Sequence, residues 1–118
     1  MPDALVRSLR DRISGPVVAP SDAEWDAART GFNVALDQRP AAVAYPESVA
    51  DVLALVQVAG EHGVQVAPQG TGHGAGPLGP LEGAILVRTE RLTGVEIDPK
   101  ARRARVRAGA RWADVTPL

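Results

Sequence analysis

Apolar positions recur four residues apart at the start of the chain, at Leu5, Leu9 and Ile13. That spacing predicts a short amphipathic helix over residues 4–13, stopped by Gly15-Pro16. Val17-Val18 reads as a brief extended piece. Ser21 and Glu24 have the form of a capping box, in which two side chains satisfy free N–H groups at a helix start. The helix they would open runs through Trp25 and Ala28 to about Gly31, and residues 32–40 read as irregular.

The pattern then sharpens. Residues 41–45 form a small apolar run between Pro40 and Pro46, as expected of a short buried strand. Ser48 and Asp51 repeat the capping-box form. A helix is expected after them, with Val49, Val52, Leu53, Val56 and Ala59 on its buried face and Asp51, Gln57 and Glu61 elsewhere. Gly63 stands where a C-cap glycine belongs. Residues 64–68 read as a second strand. Strand, helix and strand over so few residues predict a βαβ unit with parallel strands and a right-handed crossover. Residues 84–87 are another short apolar run. Residues 95–98 and 103–108 flank Pro99-Lys100-Ala101 as an antiparallel pair would, and residues 111–115 begin a further helix. The expected fold class is therefore α+β: a parallel βαβ unit followed by a small antiparallel sheet.

Composition narrows the function classes. Of 118 residues, 45% are hydrophobic but only 3% aromatic, so Ala, Val and Leu must fill the core. The net charge of −1 gives no general reason to expect nucleic acid or an anionic membrane. Arg103, Arg105 and Arg107 alternate and so share one strand face. That face reads as solvated or as an interdomain contact, since the stacking aromatics of RNA readers are missing. No stretch is apolar enough to span a bilayer, the opening residues do not form a signal peptide, and the absence of Cys suits a cytoplasmic protein. His62 and His73 have no partners at metal-ligand spacing, so no metal is expected. His62 falls in the last turn of a helix, where it suits the helix dipole.

Between residues 70 and 83 the character changes. Gly70, Gly72, Gly74, Gly76, Gly79 and Gly83 crowd one loop with Pro77 and Pro80. Glycine lets a ligand approach the backbone, and successive inward N–H groups make an anion cradle that suits a pyrophosphate. An isolated glycine cluster is equally compatible with a flexible surface turn. No Gly-Lys-Ser/Thr occurs, which excludes a Walker A loop. Residues Gly70 to Ala75 satisfy G-x-G-x-x-G/A, with Glu90 about 20 residues on. The dinucleotide fingerprint, however, needs a helix opening within it, and Gly76, Pro77, Gly79 and Pro80 forbid one.

These residues carry a resemblance. The strand–helix–strand order, Tyr45-Pro46-x-Ser48-x-x-Asp51-Val52, the loop Pro68-Gln69-Gly70-Thr71-Gly72-His73-Gly74, the run Leu92 to Ile97 and the strand Ala104 to Ala110 together resemble the FAD-binding domain of vanillyl-alcohol-oxidase type flavoproteins, which include the berberine-bridge-enzyme-like and hydroxynicotine-oxidase-like proteins. The resemblance implies FAD as cofactor, held by Gly70, Thr71, Gly72, His73, Gly74 and Ala75, with His73 as the covalent attachment to the flavin 8α-methyl. It departs from the family at two places: Gln69 stands where many members have Arg, and Gly74 where many have Ser. Residues 1–39 are then an N-terminal helical segment and residues 40–118 the first portion of the FAD-binding domain. The parent protein is expected to be a flavin-dependent oxidase of a small-molecule substrate, with its catalytic acid or base elsewhere, this chain alone being inactive and prone to self-association. A non-enzymatic remnant, or a same-fold reductase with noncovalent FAD, are the alternatives.

Overall fold

The computed structural model describes residues 2–31 and 35–117. In chain order the elements are α1 (Pro2–Arg12), β1 (Val17–Val18), α2 (Trp25–Arg29), β2 (Ala42–Ala44), α3 (Val49–His62), β3 (Val66–Gln69), a 3₁₀ turn (Gly76–Leu78), β4 (Ile85–Arg88), β5 (Val95–Asp98), β6 (Arg103–Val106) and α4 (Trp112–Val115). Four strands form one sheet in the order β1-β2-β4-β3, and β5 and β6 form a separate antiparallel pair. β2 and β3 run parallel, as the βαβ pattern predicts, but they are not neighbours. β4 lies between them and pairs in parallel with both.

Alternation along the short strands sends side chains to opposite faces of this sheet. Ala42, Ala44, Ile85 and Val87 meet Leu5 and Leu9 from α1, Ile13 just after it, and Leu55 and Val58 from α3. Val43 and Leu86 point the other way, onto Trp25 and Ala28 of α2. Each fully buried aliphatic side chain here contributes roughly 1.5–3 kcal/mol. Arg12 reinforces the α1–α3 contact, donating to Glu61 and Gln57.

Three local expectations are corrected. Helix α2 begins at Trp25 with Glu24 as N-cap and no side-chain cap bond, so Ser21 and Glu24 do not form a capping box. Instead Asp22 closes a tight turn by accepting from the Ala19 N–H at 2.8 Å, and Arg10 donates to the same carboxylate. In α3, Ser48 does cap the helix by accepting from the Asp51 N–H. The Asp51 carboxylate, however, turns to Ser14, Gly15 and Glu47. The buried face of α3 also differs from the expected one, although Ala59 is buried as expected. Asp51, Leu55, Val58 and Ala59 face inward, while Val49, Leu53 and Val56 are exposed. Gly63 takes the expected left-handed C-cap conformation. Of the irregular stretch 32–40, residues 32–34 lie outside the described residues; 35–40 contain no helix or strand.

Candidate functional site

The glycine loop leaves the carboxyl end of β3, and residues Thr89 onward leave the carboxyl end of β4 beside it. The carboxyl end of parallel strands is where ligands bind in open α/β sheets. The segment from Val106 to Val115 stands opposite the loop. Between them lies an open cleft of about 1020 Å³, lined on one side by Gly70, Thr71 and His73, on its floor by Arg88 and Glu90, and on the far side by Arg107, Arg111 and Trp112.

Four groups to which sequence reasoning gave no part in the site hold this arrangement. Gln38, buried in the irregular segment, donates its amide to the carbonyls of Ala75 and Gly79 at 2.9 and 2.8 Å and so ties down the loop. The Thr89 hydroxyl is shared between the carbonyls of Gln69 and Ala108, which joins the two sheets. Gly109 donates to the Leu92 carbonyl, and a Cβ on it would lie 2.0 Å from the Thr89 carbonyl oxygen. Close backbone contact therefore requires glycine there. Gly31 has a similar task, since a Cβ would come within 2.9 Å of Gln69 Nε2 and 3.2 Å of Gly72 Cα. None of the four belongs to a periodic pattern. The one available signal was a polar or glycine residue next to the ends of predicted strands.

The structure places the predicted loop residues unequally. Gly70, Thr71 and His73 are exposed on the cleft, whereas Gly72 and Ala75 are buried beneath it and Gly74 is exposed. Gly72 adopts φ of +86°, which glycine reaches without strain. The loop contains no α-helix; after it comes the three-residue 3₁₀ turn, so no helix opens within the loop as the dinucleotide fingerprint would need. Thr71 Oγ1 hydrogen-bonds His73 Nδ1, which fixes the ring against its own loop. His62, at the end of α3, bonds the Ser8 hydroxyl at 3.2 Å on another surface. The arginines of β6 face Glu96 and Asp98 across the hairpin, so their charge is balanced within the pair of strands.

A diphosphate-bearing cofactor fits these residues. A Cβ at Gly74 or Gly76 would meet nothing within 4 Å, leaving room for a ligand against the backbone. Two buried donors at the same end of the sheet, Gln69 Nε2 and Arg88 Nε, have no acceptor among the described residues. Such groups are uncommon and call for one. Among the described residues no cluster of His, Asp or Glu could hold a metal ion, and no helix is long and apolar enough to cross a membrane.

Comparison with known proteins defines the class. The FAD binding domain family model matches residues 40–118. The chain belongs to this family, within the vanillyl-alcohol-oxidase type that its loop resembles, and its cofactor is FAD. It is 37% identical over 105 residues to a xylooligosaccharide oxidase of Thermothelomyces thermophilus, covering 87% of this chain and 21% of that protein. To a glucooligosaccharide oxidase of Sarocladium strictum it is 36% identical, covering 74% of this chain and 18% of the relative. The solved glucooligosaccharide oxidase from Acremonium strictum, described with a 6-S-cysteinyl, 8α-N1-histidyl FAD, superposes with a TM-score of 0.78 at 30% identity over 92% of this chain and 23% of its own. The chain thus spans about a fifth of the length of the relatives it matches.

Proposed function

We propose that this chain is the pyrophosphate-binding portion of a flavin-dependent oxidase and that His73 is the covalent anchor of its FAD. The observation that carries the reading is the position of His73. It lies on the cleft at the carboxyl end of β3, on a glycine loop pinned by Gln38, facing Arg107 and Arg111. A neutral imidazole nitrogen would be a competent nucleophile toward the electrophilic 8α-methylene that forms once the flavin methyl group loses a proton; the addition would leave the flavin reduced by two electrons, which O₂ would remove. The loop Gly70, Thr71, Gly72, His73, Gly74 and Ala75 would hold the diphosphate, with Gly70 and Thr71 nearest the cleft. When bound, FAD supplies hydride acceptance from an organic substrate and reoxidation by O₂. The relative from Acremonium strictum is described with two links to flavin. This chain has no cysteine, so within it the histidyl bond alone is available.

Relatives named as oligosaccharide oxidases support a small carbohydrate as the first substrate class to test. The family match beginning at residue 40 supports placing the first portion of the FAD-binding domain at residues 40–118, with residues 1–39 as an N-terminal segment that contributes α1, β1 and α2. Cytoplasmic residence belongs to the same proposal, and a stretch without cysteine is compatible with it.

The test is acid precipitation of the flavin-loaded protein and of its His73→Ala variant, followed by flavin fluorescence on a denaturing gel. The wild type should carry a fluorescent band and a yellow pellet. His73→Ala should release its flavin to the supernatant while retaining reversible FAD binding, because the loop backbone is untouched. A wild type that gives up all its flavin to the supernatant supports a noncovalent FAD protein instead, the reading that the neutral Gln69 and Gly74 favour. A His73→Ala protein that still fluoresces on the gel removes His73 from the anchor role.

A further inference from the structure

We propose that Arg88 is the cation that recognises the diphosphate in this cleft, and that Glu90 sets the affinity by competing for it; the inference rests on the FAD reading above. Gln69 and Arg88 are register partners on adjacent parallel strands, so their side chains leave the same face of the sheet at its carboxyl end. At position 69 the side chain is a neutral amide, more than nine-tenths buried. The charge at this end of the sheet therefore comes from its neighbour.

Arg88 is built for that task in a way the other cations of the cleft are not. Its Nη1 donates to the Ala28 carbonyl at 2.9 Å and the Thr30 carbonyl at 3.0 Å, which pins the guanidinium plane against the end of α2. Its side chain is 15% exposed, whereas Arg107 and Arg111 are exposed residues. A guanidinium held before binding loses little freedom when it binds. Its Nη2 pairs with Glu90 at 2.9 Å. Among the described residues its Nε, like the neighbouring Gln69 Nε2, is buried without an acceptor. A planar guanidinium with one edge committed to carbonyls and another to a replaceable carboxylate suits an oxyanion ligand. Glu90 is half-exposed and can turn to water when a diphosphate takes its place on Nη2. Its charge, standing at the floor of the cleft, opposes every anion that enters.

The experiment titrates the protein with inorganic pyrophosphate, ADP and FAD, and with riboflavin as the phosphate-free control, in the wild type, Glu90→Gln and Arg88→Lys. Glu90→Gln should bind pyrophosphate and ADP more tightly, by up to about fivefold, because an exposed ion pair of this kind contributes little and its loss removes a competitor. Arg88→Lys should weaken both by roughly tenfold or more, since a lone ammonium cannot hold two carbonyls and an oxyanion in one plane. Riboflavin affinity should be the same in all three. Arg88→Lys could lose its fold along with the carbonyl contacts, so a thermal melt accompanies it and Glu90→Gln decides the case alone. If FAD binds and Glu90→Gln leaves pyrophosphate and ADP affinity unchanged or weaker, the inference is overturned and the FAD reading stands. If neither pyrophosphate, ADP nor FAD binds the wild type, both fail.

Discussion

The four-stranded sheet and the β5–β6 hairpin are built from similar short strands, yet they are finished to different degrees. In the sheet both faces are covered: β2 is buried along its whole length, and β4 along all but its last residue. In the hairpin every residue of β6 is exposed, as are Glu96, Ile97 and Asp98 of β5. Its apolar side, with Val95 opposite Val106 and Ile97 opposite Ala104, has no helix or sheet packed on it among the described residues. The sheet is stable through its own burial. The hairpin is tied to the sheet through the Thr89 hydroxyl, which donates to the Ala108 carbonyl, while bonds from Gly109 to Leu92 and from Arg107 to Gly94 extend its own pairing. The part of the site that holds the loop is therefore rigid, and the part facing it is held by a few hydrogen bonds, so it can adjust to a ligand at low cost.

The largest effect expected from breaking this contrast is in the core. Leu55 is 1% exposed between α1 and the sheet, while Ile97 on the hairpin is 43% exposed. Leu55→Ala should cost about 2–5 kcal/mol in urea unfolding, and Ile97→Ala less than about 1 kcal/mol. Equal losses would mean that the hairpin is as tightly packed as the sheet.

A smaller and pH-dependent effect should come from Asp51, which ties the turn after α1 to the start of α3. Burial pushes its carboxyl pKa up, but the N–H groups of Ser14, Glu47 and Gly15 and the Ser14 hydroxyl outweigh burial and hold it below its ordinary 3.8. A folded-state pKa below the unfolded one contributes stability that is fully present above the unfolded value and is lost as pH falls through the folded value. Wild-type stability should thus decline as the solution is acidified below about pH 4. Asp51→Asn should cost roughly 1–3 kcal/mol at neutral pH and flatten that decline. Denaturant midpoints across pH 2–7 measure both, and an unchanged acid limb in Asp51→Asn would assign the decline to other carboxylates.

Asp51 also shows what could and could not be read from the sequence. Apolar runs bounded by Pro and Gly marked β2, β3 and β4 because a short buried strand has no other way to look. The Ser48 cap and the Gly63 stop marked both ends of α3 through local backbone chemistry. The place of β4 between β2 and β3 was not legible, because strand order is a matter of distant pairing and no residue near β4 encodes it. The face of α3 was misread for a related reason. Apolar side chains ring this helix, so period alone cannot choose between a face centred on Leu55 and Val58 and one centred on Val49, Leu53 and Val56. A charge at Asp51 argued for solvent, yet its partners lie 36 and 37 residues away at Gly15 and Ser14. In the site the glycine loop was legible from composition, whereas His73 was singled out through the family resemblance. Arg88 was legible from neither, since it becomes a neighbour of Gln69 only through the β3–β4 register.

The misread face supplies the smallest stability effect and a sharper test. Val49, Leu53 and Val56 are 75%, 60% and 52% exposed and follow one another along a single stripe of α3. Exposed apolar stripes of this kind favour association, so the stripe is a second surface, besides the incomplete cofactor site, on which the expected self-association can be tested. Leu53→Gln keeps a good helix former while removing the apolar tip. If Leu53 is on the solvent side, the change should alter unfolding free energy by no more than about 0.5 kcal/mol. If it instead belonged to the core, as the helical period suggests, the loss would approach that of Leu55→Ala. Sedimentation equilibrium adds a second reading from the same protein. Wild type should show a concentration-dependent mass and Leu53→Gln a shift toward monomer, because water gains a polar side chain in the middle of the stripe. A wild type that stays monomeric at every concentration would rule out association through this face, whatever the stability result.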